Sequence, residues 1–193
     1  MNQLSIEPLH PDFGARVSGV NLTGPLSSDD IENIREAIDT YSLLCFPNQD
    51  MNDEHHMAFT RLLGEPEAEH VTFGKTGGVK YFGTVGNVQP DGTKQVNADT
   101  GTKYQKGNQL WHSDSSFREV PSRESILHAY EVPDGEGDTE FVSMRSAYAR
   151  LPEDMARQID PLGVVHDYVF SRAPVAPVDP NHAANMPPVN HRL

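Results

Sequence analysis

Asn108-Gln109-Leu110-Trp111-His112-Ser113-Asp114-Ser115-Ser116-Phe117 is the stretch on which the rest of the chain turns. From Leu110 onward it reads apolar, apolar, His, polar, Asp, polar, polar, apolar. Successive side chains of a β-strand alternate between its two faces, so an extended backbone here predicts His112 and Asp114 on one face. An imidazole and a carboxylate so placed can grip one metal ion from adjacent corners. They are two of the three donors of a 2-His-1-carboxylate facial triad, the arrangement that leaves positions open on Fe(II). The same His-x-Asp spacing also suits a hydrogen-bonded surface pair, and spacing alone leaves both readings standing. Trp111 and Phe117 flank the pair. Large aromatics bring most of their energy through burial, so they predict a site rooted in a core.

Toward the N-terminus, the segments from Leu4 to Asn21 are short and broken by Pro8, Pro11, Gly14 and Gly19. They predict edge strands and turns, with Ala15-Arg16-Val17 and Val20 as strand residues. Ser27-Ser28-Asp29-Asp30 predicts a helix start, with a serine cap and acids in the first turn. Ile31, Ile34, Ile38 and Tyr41 then fall on one helical stripe. Leu43 to Phe46 predicts a short buried strand with Cys45 as a core thiol. Asn52-Asp53 caps a second helix, with Met57, Phe59, Leu62 and Leu63 mainly inward and Gly64 as its C-cap. His55 and His56 lie on that helix. Adjacent helical residues diverge by about 100°, so the two are read as surface or partly buried histidines rather than joint ligands. Val79 to Val85 predicts a strand, and 89–107 is a long polar loop. Loops longer than about 12–15 residues are uncommon in compact domains and are often lids or disordered connections.

Beyond the central stretch, Ser125–Val132 and Asp138–Met144 predict two strands joined by the turn Pro133-Asp134-Gly135-Glu136-Gly137. Ser146 to Ile159 predicts a helix in two pieces, because Pro152 opens a new first turn. Tyr148, Leu151, Met155 and Ile159 form its apolar stripe. Gly163–Phe170 predicts a last strand. Residues 173–193, with Pro174, Pro177, Pro180, Pro187 and Pro188, predict a poorly ordered tail.

Composition narrows the function classes. The chain has 193 residues, 36% of them hydrophobic, with 15 prolines and 15 glycines, which suits one β-rich domain better than a helical bundle. The formal net charge of −13 argues against a nucleic-acid partner and against an anionic membrane surface, because either needs basic groups to meet phosphate. A single cysteine rules out a disulfide framework within the chain. Met1 to Glu7 has neither the basic region nor the apolar run of a signal peptide. No apolar run approaches the roughly 18–20 residues of a membrane helix, so a cytoplasmic protein is expected.

Four stretches, in order, resemble the taurine/2,4-dichlorophenoxyacetate dioxygenase family of Fe(II)- and 2-oxoglutarate-dependent oxygenases, nearest its 2,4-dichlorophenoxyacetate branch. Asn108 to Phe117 resembles the family's metal-binding segment. Pro8-Leu9-His10-Pro11-Asp12-Phe13-Gly14-Ala15 resembles its opening strand and turn. Gly137-Asp138-Thr139-Glu140-Phe141, followed by Met144-Arg145-Ser146-Ala147-Tyr148, resembles the segment that supplies a cosubstrate contact. Asn185-Met186-Pro187-Pro188-Val189-Asn190 resembles a loop that precedes the family's C-terminal half.

The resemblance implies a mainly β fold with flanking helices, the double-stranded β-helix or jelly roll. Residues 1–193 would form a single dioxygenase domain equal to its N-terminal two-thirds. The chain would be truncated before the distal His and the 2-oxoglutarate-binding Arg, with the C-terminal part of the fold missing. His112 and Asp114 would bind Fe(II). Thr139 resembles the residue that hydrogen-bonds the far carboxylate of 2-oxoglutarate, although an ordinary strand Thr also suits that position. Asn108 and His70 lie where family members touch substrate, and Asn108 also reads as a turn residue. The 89–107 loop would be a lid, with Lys94, Lys103 and Lys106 read as solvated surface residues.

The implied activity is hydroxylation of a small organic acid, aryloxyalkanoate- or sulfonate-like. It would be coupled to oxidative decarboxylation of 2-oxoglutarate to succinate and CO2. The partners are then an acid substrate and O2, with homo-oligomerisation left open. The alternative is a catalytically inactive fragment or binding module of the same fold. A Zn hydrolase fits less well, since catalytic zinc takes three protein ligands and no hydrolytic motif is present.

Overall fold

The computed structural model describes residues 4–67, 71–73, 79–82, 85–86, 109–132, 134–135, 137–175 and 178–192. The chain divides into two compact units: residues 1–82 with 126–152, and residues 83–125 with 153–193.

In the first unit, β1 (Ser5–Pro8) pairs antiparallel with β2 (Ala15–Ser18), with Ser5 opposite Ser18 and Pro8 opposite Ala15. The turn between them closes through Leu9 N–H donating to the Gly14 carbonyl at 2.9 Å. Gly14 has φ +84°, a left-handed conformation that a side chain would strain. That conformation lets its N–H reach the Tyr41 carbonyl at 2.7 Å and sends the chain into β2. The helix α1 (Ser28–Tyr41) then crosses over to β3 (Leu44–Cys45), which lies parallel to β2.

Capping sets where α1 begins. Ser27 Oγ accepts from the Asp30 N–H at 3.1 Å, and Asp30 Oδ2 accepts from the Ser27 N–H at 3.2 Å. Two orphan amide donors are thereby satisfied reciprocally. The expected stripe is present, with Ile34 and Ala37 buried at its centre. The second helix, α2 (Asp53–Leu63), starts the same way, Asn52 Oδ1 accepting from the His55 N–H at 2.9 Å. Leu22, Ile34, Met51 and Phe59 make the core between these elements, with Phe46 edge-on to Phe59 at 5.9 Å and Ile126 packed against the cluster. Cys45, expected in this core, is instead exposed. Leu44 is the neighbour that packs inward, as alternation along so short a strand requires.

The same unit holds the two-stranded antiparallel pair β4 (Val71–Phe73) and β5 (Val79–Phe82), the latter ending short of the expected Val85. It also holds α3 (Met144–Ala149), capped by Ser143 Oγ accepting from the Ser146 N–H at 3.2 Å. Arg145 ties α3 to the end of α1, donating to the Asp39 carbonyl at 2.7 Å and to the Ser42 hydroxyl.

The expected strands Ser125–Val132 and Asp138–Met144 are not strands here. Their described residues have no ladder partner, and without paired neighbours an extended segment is not a sheet element.

In the second unit, α4 (Glu153–Ile159) follows Pro152, so the predicted two-piece helix is observed. β6 (Gly163–His166) pairs antiparallel with β7 (Val189–Arg192). The predicted strand 163–170 breaks at Asp167, whose Oδ1 accepts from the Phe170 N–H at 2.9 Å and caps α5 (Tyr168–Arg172). The expectation of a poorly ordered tail over 173–193 does not hold for its described residues. They contain α6 (Pro180–Ala184) and β7, because β6 offers Val189–Arg192 a full ladder. Among the described residues, no helix is long and apolar enough to cross a membrane.

Candidate metal centre

The segment carrying His112 and Asp114 is not a strand. Residues 111–113 are irregular, and the chain turns through Asp114–Phe117, closed by the Arg118 N–H donating to the Ser115 carbonyl at 3.0 Å. Ser115 sits at φ 56°, left-handed and buried, with the Ser122 hydroxyl 3.2 Å from its own. A non-glycine residue in that region costs about 1–2 kcal/mol, which its surroundings must offset. Only one of the flanking aromatics roots the segment. Phe117 packs against buried Tyr168, the rings tilted with centroids 4.7 Å apart, whereas Trp111 is 67% exposed.

The predicted pairing nevertheless forms, through the turn rather than through strand alternation. His112 Nε2 lies 3.2 Å from Asp114 Oδ1, with the side chains 44% and 56% exposed. His112 Nδ1 lies 2.6 Å from the Leu110 carbonyl oxygen, an approach that only an N–H can make. Nδ1 therefore carries a proton, and in the neutral ring Nε2 presents a lone pair toward the carboxylate. Asp114 Oδ2 accepts from the Ser125 hydroxyl at 2.8 Å.

Two lone-pair donors that close together need a cation between them, either a proton or a metal. Bonds of about 2.1 Å place adjacent donors roughly 3.0 Å apart in an octahedron and roughly 3.4 Å apart in a tetrahedron. The observed 3.2 Å lies between these, so the donor set fits a first-row divalent ion as well as a hydrogen-bonded pair. Both donors are also held from behind, as metal ligands commonly are. Sequence reasoning missed that support. The Leu110 carbonyl and the Ser125 hydroxyl have no signature beyond being near in the fold.

A third donor is not among the described residues, where no group of three His, Cys, Asp or Glu could hold a metal. His191 lies on β7 with Nε2 2.9 Å from the Arg118 carbonyl and its ring 5.3 Å from His166. Thr139 is exposed in an irregular segment of the other unit. Asn108, His70 and the 89–107 loop lie outside the described residues.

The first unit carries a separate polar cluster on α2. His55 serves the helix cap, whereas His56 is buried, so the two adjacent rings face apart as helical geometry requires. The His56 ring stands 6.3 Å from that of His128, which in turn meets Tyr130 at 4.5 Å. Burial, then the charge of His128, push the His56 pKa below its ordinary value, opposed by the Ile126 backbone and Asp53. The Tyr130 hydroxyl donates to Asp53 Oδ1. Desolvation, and then Asp53, push the Tyr130 pKa up to about 12.

Comparison with known proteins bears on what the His112–Asp114 pair is for. Residues 5–192 match the taurine catabolism dioxygenase TauD, TfdA family. The chain is 35% identical over 191 residues to an alpha-ketoglutarate-dependent 2,4-dichlorophenoxyacetate dioxygenase of Cupriavidus pinatubonensis, covering 96% of this chain and 67% of that protein. It is 34% identical over 170 residues to an (S)-phenoxypropionate/alpha-ketoglutarate-dioxygenase of Sphingobium herbicidovorans, covering 87% of this chain and 55% of that one. The crystal structure of AAD-2 in complex with Mn(II) and N-oxalylglycine superimposes with a TM-score of 0.86 at 32% identity, covering 99% of this chain and 66% of that one. The chain thus spans between about half and two thirds of the length of these relatives. Its backbone has the fold of this group. Since the match takes in nearly every residue, both units and the His112–Asp114 turn included, the chain belongs to the TauD/TfdA family of 2-oxoglutarate-dependent dioxygenases.

Proposed function

We propose that the protein is an Fe(II)- and 2-oxoglutarate-dependent dioxygenase that hydroxylates a small organic acid of the aryloxyalkanoate or sulfonate type. The balanced reaction consumes the organic acid, O2 and 2-oxoglutarate and yields the hydroxylated acid, succinate and CO2. The observation that carries the reading is the convergence of His112 Nε2 and Asp114 Oδ1 at 3.2 Å, each donor steadied by a hydrogen bond on its far side.

His112 and Asp114 would hold the iron, which supplies the oxygen chemistry when bound. Leu110 and Ser125 keep the two donors aimed. Thr139 donates its hydroxyl to the far carboxylate of 2-oxoglutarate, and Asn108 and His70 contact the acid substrate. In this reading the scaffold is a jelly roll and 89–107 serves as its lid. Family membership supports these assignments, and so do the two relatives named for 2,4-dichlorophenoxyacetate and (S)-phenoxypropionate.

A second reading is an inactive fragment or binding module of the same fold. The described residues favour it in one respect, since they add no third donor to His112 and Asp114. One experiment separates the two: anaerobic titration of the purified chain with Fe(II) and 2-oxoglutarate, read by the visible metal-to-ligand charge-transfer band. A dioxygenase gives a band that His112→Ala abolishes, and aerobic turnover then gives succinate. A folded chain with no band and no succinate overturns the dioxygenase reading in favour of the module.

A further inference from the structure

We propose that Ser125 is a positioning residue of the metal centre, whose hydroxyl favours Asp114 as a one-oxygen ligand by hydrogen bonding to the carboxylate's other oxygen. The inference rests on the reading of His112 and Asp114 as ligands and extends it to a residue outside the ligand set.

The geometry divides the labour of the carboxylate. Oδ1 faces His112 Nε2 at 3.2 Å, and Oδ2 accepts from Ser125 Oγ at 2.8 Å. A hydroxyl has one proton to donate, so this bond commits the donor capacity of Ser125. A carboxylate can bind a cation through one oxygen or through both. Held from behind at Oδ2, Asp114 turns Oδ1 toward His112, and the Ser125 bond favours binding through that one oxygen over chelation through both. That preference matters in a centre built to leave positions open, because a second carboxylate oxygen would fill one of them. Leu110 makes the matching contact on the other ligand, accepting from His112 Nδ1 at 2.6 Å. That contact is made by backbone, so Ser125 is where a side-chain substitution can test the support.

The test uses the full chain with Co(II) and, anaerobically, Fe(II), in four forms: wild type, Ser125→Ala, Ser125→Thr and His112→Ala. Calorimetry gives the metal affinity, and the visible spectrum of bound Co(II) reports the coordination number. Circular dichroism confirms folding. Loss of an outer-shell contact costs about 10- to 100-fold in metal affinity. Ser125→Ala is expected to fall in that range and to alter the Co(II) spectrum, while Ser125→Thr, which keeps the hydroxyl, restores both. Ser125→Ala with wild-type affinity and spectrum overturns the inference and leaves the metal centre standing. Equal losses in Ser125→Ala and Ser125→Thr also overturn it, since the hydroxyl would then not be the cause. A wild type that binds no metal, or a His112→Ala that binds as well as wild type, overturns the metal centre itself and the role of Ser125 with it.

Discussion

Replacing Asp114 by asparagine keeps the size and shape of the side chain and removes its charge. Asp114 is more than half exposed, so bulk water is the appropriate screening medium and gives the smallest loss the geometry allows. A double positive charge about 2.1 Å from a single negative one, at a dielectric constant of about 80, is worth about 4 kcal/mol, or roughly a thousandfold in Kd. The amide oxygen remains a weak donor and returns part of this. The amide nitrogen works the other way, because it can donate to His112 Nε2 across the 3.2 Å gap and occupy the lone pair a metal needs. The expected loss is therefore on the order of a hundredfold to a thousandfold. Calorimetric titration with Mn(II), with electron paramagnetic resonance counting the free ion, measures it. An Asp114→Asn chain that is folded and binds Mn(II) within threefold of wild type would refute the assignment of Asp114 as a ligand.

Three further outcomes concern the scaffold. Phe59 is buried edge-on to Phe46 in the core of the first unit, so Phe59→Ala should cost about 3–5 kcal/mol in urea denaturation; a loss below about 1 kcal/mol would mean that this cluster is not the unit's core. Ser27→Ala removes one half of the α1 capping box and should cost about 1 kcal/mol, with Ser27→Asp restoring it. His56 predicts a pH dependence. Its folded pKa lies below the ordinary 6.5, so as pH drops below 6.5 the unfolded chain takes up the proton first and stability declines, while above 6.5 this contribution is intact. Asp53 and His128 bias the same ring in opposite directions. His56→Gln should flatten the decline of the urea midpoint between about pH 7 and pH 5 that this site contributes; an unchanged slope would rule out His56 as its source.

What could be read from the sequence was whatever a local pattern determines. The caps of α1 and α2 are short-range hydrogen bonds between side chains three residues apart, so Ser27-x-x-Asp30 and Asn52 mark them directly. The α1 stripe and the break at Pro152 are equally local. The His-x-Asp pairing was legible in its outcome but not in its cause. Strand alternation and the observed turn both bring His112 and Asp114 together, and only the turn, with Ser115 left-handed, occurs. Ser125 was illegible, because an eleven-residue separation places nothing by periodicity. Cys45 and Trp111 show the converse, since both are residue types that favour burial and both are exposed. Residue type sets a preference for the interior, while the neighbouring elements decide whether an interior exists at that position.

The segments 125–132 and 138–143 show where that distinction acts on function. The period of two expected of a strand is present from Glu124 to His128: Ile126 and His128 are partly covered, and Ser125 and Leu127 are exposed. Ile126 packs on the core and His128 stands beside His56. Side-chain alternation is therefore encoded locally. A strand also needs a neighbouring backbone, and among the described residues these segments have none. Leu127, Tyr130, Val132, Phe141 and Val142 remain exposed along them, more apolar surface than isolated surface residues account for. The same segments carry Ser125, which hydrogen-bonds to Asp114, and Thr139, which the proposed function places at 2-oxoglutarate. A backbone with no ladder partner among the described residues can shift by a fraction of an ångström with little penalty, whereas a metal centre tolerates about 0.5 Å. The aim of Asp114 in the proposed centre should therefore depend on how Ser125 is held, and not on the ligands alone.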